Sequence, residues 1–113
     1  PRAIEQYQLA LRSNPNFPEA HNNLAFALAR TGQLSLAIQH YHQALHLRPH
    51  YALAAANLAL AYSQTQQPDE AIVAAQEAIS FAKATHQTQF AEQVQDWLNN
   101  YRAGLSQPDV PKP

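Results

Sequence analysis

Cysteine is absent from the 113 residues. That removes disulfides, thiolate metal sites and a cysteine nucleophile together, and leaves the redox compartment open. Glycine occurs only twice, so there is no glycine-rich loop to cradle a phosphate. Charge is scarce as well: 13% of residues are Asp, Glu, Lys or Arg, about half the usual share, and Gln takes their place on the polar faces. With a formal net charge of −1 and no Lys/Arg stripe along any helical run, no basic field exists to draw a phosphate backbone or an anionic membrane surface. Nucleic acid is therefore not an expected partner. No apolar run approaches the roughly 18 residues a spanning helix needs, and no charged-then-apolar leader opens the chain, so the expected compartment is cytoplasmic.

What is abundant points one way. Hydrophobic residues make up 46% of the chain, with many Ala and Leu, a composition that suits packed helices. The length allows one domain with a modest core. Pro1 stands directly before the helical run Arg2-Ala3-Ile4-Glu5-Gln6-Tyr7 where a Met would open a complete chain, so a piece of a longer protein is expected.

The sequence matches itself at a spacing of 34. Ala3, Ala37 and Ala71 fall in register, as do Ile4, Ile38 and Ile72, and Ala10, Ala44 and Ala78. A second series joins Ala20 to Ala54, Asn23 to Asn57, Leu24 to Leu58 and Ala25 to Ala59. Within a period, apolar residues recur at helical spacing in two runs separated by Thr31-Gly32, where glycine offers the left-handed backbone that closes a helix. The unit is a helical hairpin. In the next period Gln66-Gln67-Pro68-Asp69-Glu70 has no glycine, and a different turn is expected, with Pro68 in a first helical turn and two carboxylates complementing the helix N-terminus.

At these residues the chain resembles the tetratricopeptide repeat family, whose pattern runs W-x2-L-G-x2-Y, A-x3-F and P over one period. His21, Leu24, Ala25, Leu28, Ala37, Tyr41 and Pro49 match it in one repeat; Ala55, Leu58, Ala59, Tyr62, Ala71 and Ala75 match it in the next; Ala3, Tyr7 and Pro15 match the second half of an earlier one. The resemblance covers residues 1–84 and implies an all-α, right-handed superhelical array of antiparallel helical hairpins. The expected organisation is the second half of a truncated repeat (1–17), complete repeats at 18–51 and 52–85, a C-terminal capping helix (86–105) and a flexible Pro-rich tail (106–113).

Two departures shape the C-terminal part. Lys83 replaces the closing Pro, so that helix should run on to about Thr85. Beyond it the phase slips: Glu92 and Gln93 lie 34 after Leu58 and Ala59, whereas a shift of 36 restores apolar matches at Ala91, Val94 and Leu98. Phe90, Val94, Trp97, Leu98 and Tyr101 form an apolar stripe there, suited to a cap over the last hairpin, with Trp97 and Tyr101 alternatively a docking surface.

Chemistry finds little support. His42 and His46 share a helix face but lack the further ligands a structural metal site needs, and exposed histidines are the simpler account. No serine sits in a strand-turn-helix elbow. Neither catalysis, a cofactor nor a metal is expected, and the function implied by the resemblance is protein binding. The first helix of each hairpin lines a concave groove in this family, which puts Glu19, Asn22, Asn23, Phe26 and Arg30, then Leu53, Ala56, Asn57, Leu60 and Gln64, on that surface. Some members hold a partner's C-terminal carboxylate with Lys, Arg and Asn there. Here Phe26, Leu53 and Ala56 stand where cations would be needed, so an extended or helical segment read by Phe26 and Leu60 is expected instead, with Asn side chains either bonding it or satisfying neighbouring backbone. Two other functions remain open: self-association through the unpartnered helix around Ala3–Leu11, and service as the targeting arm of a larger enzyme or assembly factor.

Overall fold

The computed structural model describes residues 2–106. Six helices carry nearly all of them: α1 (Arg2–Ser13), α2 (Pro18–Arg30), α3 (Leu34–Leu47), α4 (Ala52–Gln64), α5 (Pro68–Ala84) and α6 (Thr88–Ser106). Each packs on its neighbours in sequence, and α2 also meets α4. Such local contact is what a stack of hairpins produces, because each unit touches only the next. The body measures 48 × 36 × 19 Å, and its short dimension corresponds to two layers of helices each about 10 Å across. The Pro-rich stretch lies, from residue 107 onward, outside the described residues.

Alanine sets how closely the layers approach. Ala25, Ala37, Ala44, Ala55, Ala75 and Ala78 are wholly buried at the helix crossings, where a larger side chain would push the backbones apart. Tyr41, Leu24, Leu28 and Leu98 are the largest fully buried side chains and fill the wider spaces. Burial pushes the Tyr41 phenol well above the ordinary tyrosine range. In α6 the buried residues are Ala91, Val94 and Leu98, the three that the displaced register selects. The stop that Lys83 lacks shows in α5, which runs for 17 residues against 14 in α3. At the other end, α1 turns Ile4, Tyr7 and Leu11 onto the core and leaves Leu9 as its exposed large apolar residue.

The second hairpin does not turn differently from the first. Gln66, with φ of 57°, occupies the left-handed conformation that Gly32 has at 84°, and His86 repeats it at 61° before α6. One motif recurs around all three: Thr31-Gly32-Gln33, Thr65-Gln66-Gln67 and Thr85-His86-Gln87. The threonine hydroxyls donate to the carbonyls of Leu28 (2.9 Å), Tyr62 (3.1 Å) and Phe81 (2.8 Å), and each glutamine donates from Nε2 to its threonine. The glutamine N–H groups reach back to Leu28, Tyr62 and Ala82 at 2.9, 3.0 and 2.7 Å, satisfying carbonyls that a helix end leaves orphaned. Left-handed backbone costs a non-glycine residue about 1 kcal/mol. Gln66→Gly and His86→Gly are therefore expected to stabilise the fold by about 0.5–1 kcal/mol each, and Gly32→Ala to destabilise it by a similar amount. A Cβ at Gly32 would meet nothing within 4 Å, so that loss is conformational alone. Thermal melts of the three variants check this, and a fall in melting temperature for Gln66→Gly would contradict it.

Two histidines lock α2 to α3. His21 Nε2 lies 2.9 Å from the Pro15 carbonyl, which can only accept, so that nitrogen carries the proton. His21 Nδ1 is then the acceptor for His40 Nδ1–H at 3.0 Å, and the rings stack with centroids 5.3 Å apart. Burial, and secondarily His21, pushes the His40 pKa below its ordinary value. A His that resists protonation when folded leaves the unfolded chain binding more protons in acid. The stability it confers is complete above about pH 6.5 and declines as pH falls below that value. The melting temperature should hold level from pH 8 to 7 and drop between pH 6.5 and 5, and His40→Gln should flatten that drop; an equal slope in the variant would place the proton uptake elsewhere.

No helix among the described residues is long and apolar enough to cross a membrane.

Candidate functional site

Three depressions run in a row along one side of the stack. Between α1 and α2, a space of about 430 Å³ is lined by Ala3, Tyr7, Asn23, Phe26 and Arg30, among others. Between α2 and α4, one of about 110 Å³ has Phe26, Arg30, Tyr41, Asn57, Leu60 and Gln64 in its wall. Between α4 and α6, the third, of about 190 Å³, is formed chiefly by Leu53, Asn57, Leu60, Phe90 and Trp97. Phe26 and Arg30 belong to the first two and Asn57 and Leu60 to the last two, so the row is continuous. Phe26 and Leu60 are the ridges between hollows.

Most of the expected groove residues meet here, and two do not. Phe26, Leu53 and Leu60 are 46%, 45% and 40% exposed, a row of large apolar side chains that the hairpin core does not absorb. Asn23, Arg30 and Gln64 are exposed beside them, and Asn57 is half-buried. Asn22, by contrast, is buried in the α2–α4 contact, where its Oδ1 accepts from Asn57 Nδ2 at 3.3 Å. It holds hairpins together and has no face to offer a ligand. Glu19 is drawn the other way, into an ion pair with Arg48, whose Cζ also lies 4.5 Å over the Tyr51 ring. Its own backbone N–H, and then the Arg48 guanidinium, hold the Glu19 carboxyl below the usual carboxylate range. Neither Glu19 nor Asn22 lines any of the three hollows.

The groove expected from the first helix of each hairpin leaves out α1 and α6, although Trp97 is one of the two residues of the alternative docking surface. Tyr7 walls the first hollow, and Phe90 and Trp97 the third. The α6 stripe is wide because it serves two surfaces: Ala91, Val94 and Leu98 are buried, while Phe90, Val94 and Trp97, spaced at i, i+4 and i+7, face the hollow. Trp97 is steadied by Tyr101, stacked on it with centroids 5.0 Å apart and planes within 9°. That second spacing was the signal available in the sequence. His42, on α3 with His46, bonds through Nε2 to the hydroxyl of Tyr62 on α4 at 2.8 Å.

A stack of antiparallel helical hairpins with one continuous lined face is an α-solenoid, a class built by repetition. The chain belongs to the tetratricopeptide repeat family: a Tetratricopeptide repeat family model matches residues 17–84, and a TPR repeat model matches residues 1–32. No curated protein sequence matches it as a relative. Among solved structures, the first TPR of Spaghetti (RPAP3) bound to the HSP90 peptide SRMEEVD is 19% identical, with 92% of this chain and 78% of that one covered and a TM-score of 0.79. The TPR2B domain of yeast Sti1, in its pHsp70 complex, is 18% identical over 90% of this chain and 82% of that one, with a TM-score of 0.85. The type III secretion translocator chaperone SycD of Yersinia enterocolitica is 14% identical over 92% and 80%, with a TM-score of 0.83. At these identities the likeness is one of fold.

Proposed function

We propose that this chain is a protein-interaction module that binds a peptide or partner segment along the row of hollows formed by α1, α2, α4 and α6. The observation that carries this reading is the exposure of Phe26, Leu53 and Leu60 side by side across that row. Covering large apolar side chains is the main favourable term in association, and a few buried anchors supply most of the affinity. The family and the peptides named for the Spaghetti and Sti1 structures agree with this use of the fold. A clamp for a chain terminus is not part of the proposal, because Phe26, Leu53 and Ala56 occupy the places where its cations would stand.

Phe26→Glu combined with Leu60→Glu is expected to weaken partner capture by more than about 100-fold, the loss of two anchors of about 2 kcal/mol each, while the far-ultraviolet circular dichroism stays unchanged. Parallel affinity captures on wild type and double variant, read by quantitative mass spectrometry, test this; equal recovery from both overturns the groove assignment. Self-association through α1 is the second reading, resting on Leu9, which is 57% exposed. Light scattering of wild type against Leu9→Glu decides it, and a monomeric mass for both at high concentration removes it.

A further inference from the structure

The groove reading leaves the partner's chemistry open, and the charges around the row narrow it. None of the residues lining the three hollows is acidic, and Arg30 is their one cation. Arg30 lines both the first and second hollows and lies with its Cζ 5.9 Å from the Phe26 ring centroid, at the ridge between them. Among the described residues it pairs with no carboxylate, in contrast to Arg48, which Glu19 neutralises. The negative end of the α2 dipole acts on it within the last turn and leaves a full guanidinium on an otherwise uncharged surface. Asn57 and Gln64 line the same hollow with amide groups able to donate. The third hollow is different in kind: Leu53, Leu60, Phe90, Val94 and Trp97 make it almost wholly apolar.

We infer that the row takes a segment carrying a side-chain carboxylate opposite Arg30 and a bulky apolar side chain in the hollow between α4 and α6. This rests on the groove reading above and adds a composition and a direction to it. A guanidinium rewards a carboxylate through a charge-assisted, paired hydrogen bond and repels a cation, so it selects by sign as well as by fit. The carboxylate belongs to a side chain because hollows continue on both sides of Arg30: the bound chain runs past that point towards α1 as well as towards α6. The apolar residue enters the third hollow because that is where the exposed apolar walls converge around Trp97 and its stacked Tyr101.

Selection of random dodecapeptides on the whole 113-residue chain tests this, with peptides displayed either tethered through their C-termini or with C-termini free. In the tethered format, enriched sequences are expected to share an Asp or Glu at fixed spacing from a Leu, Ile, Phe or Trp. Arg30→Gln should weaken a selected peptide about fivefold, as removal of a partly screened charge pair does. Arg30→Glu should invert the preference at that position to Lys or Arg, and Leu53→Glu should erase the apolar preference alone. Enrichment of acid only at free C-termini overturns the inference in favour of a terminal clamp. Apolar enrichment with no acidic preference overturns it and leaves the groove reading standing. Peptides that bind the Phe26→Glu, Leu60→Glu variant as well as wild type, or no enrichment at all, remove the groove reading and this inference together.

Discussion

A chain ending at Ala84 is expected to lose more helix than α6 contains. The 19 residues of α6 bury Ala91, Val94 and Leu98 and pack Phe90 and Trp97 against the same core. Complete burial of a Val or Leu contributes about 1.5–3 kcal/mol, so removing the helix forfeits on the order of 5 kcal/mol. A small domain has about 5–15 kcal/mol in total. The damage should fall first on α5, which packs on α6 and whose Ile79 lines a hollow with Ala91, and on the α4 residues Leu53 and Leu60 that border the third hollow. In a stack, a unit stripped of its neighbour loses an interface that nothing else replaces. Circular dichroism should show helix loss beyond 19 residues, and hydrogen exchange should show α5 amides opening at rates close to global unfolding. A deficit equal to α6 alone, with α5 still protected, would make the last helix an appendage.

Tyr41→Ala is expected to be the most damaging single substitution. Tyr41 is 1% exposed on α3, and it lines the hollow between α2 and α4 together with Phe26, Asn57 and Leu60. Around it the crossings are made by Ala25, Ala37 and Ala44, which have no side-chain length with which to fill a gap. A cavity that cannot collapse puts the cost at the upper end for aromatic truncation, about 3–5 kcal/mol. At roughly 4–8 °C per kcal/mol for a domain of this size, the melting temperature should fall by at least about 12 °C. Tyr41→Phe keeps the ring and should cost no more than about 1 kcal/mol. If the two variants melt together, the hydroxyl and not packing is what Tyr41 supplies. The same cavity would deepen the hollow between α2 and α4, so on the proposed use of that row Tyr41→Ala should also change which peptides are selected.

The local elements were readable because local rules govern them. Helical spacing in Leu24, Ala27 and Leu28, the left-handed turn at Gly32 and the first-turn proline at Pro68 are each decided within a few residues by sterics and hydrogen bonding. The register of α6 was readable for the same reason, since Ala91, Val94 and Leu98 are spaced as one helix face. The turns at Gln66 and His86 were not. Neither residue prefers a positive φ; the orphaned carbonyls of α4 and α5, with the Thr and Gln side chains that bond around them, impose it.

Contacts between helices needed the tertiary structure. Asn22 and Asn23 are adjacent and chemically identical, yet one is buried against Asn57 and the other is exposed at the first hollow, because a helix turns by about 100° between them. Glu19 has the composition of a groove residue until Arg48, 29 positions later, takes its carboxylate. The hollow that Trp97 lines exists only where α6 settles beside α4. The sequence by itself determined the period, the helices and which small residues let them meet, since repetition and side-chain size act wherever the chain is. Which polar groups remain available to a partner, and which are used between hairpins, was decided only by packing, because that depends on what stands opposite.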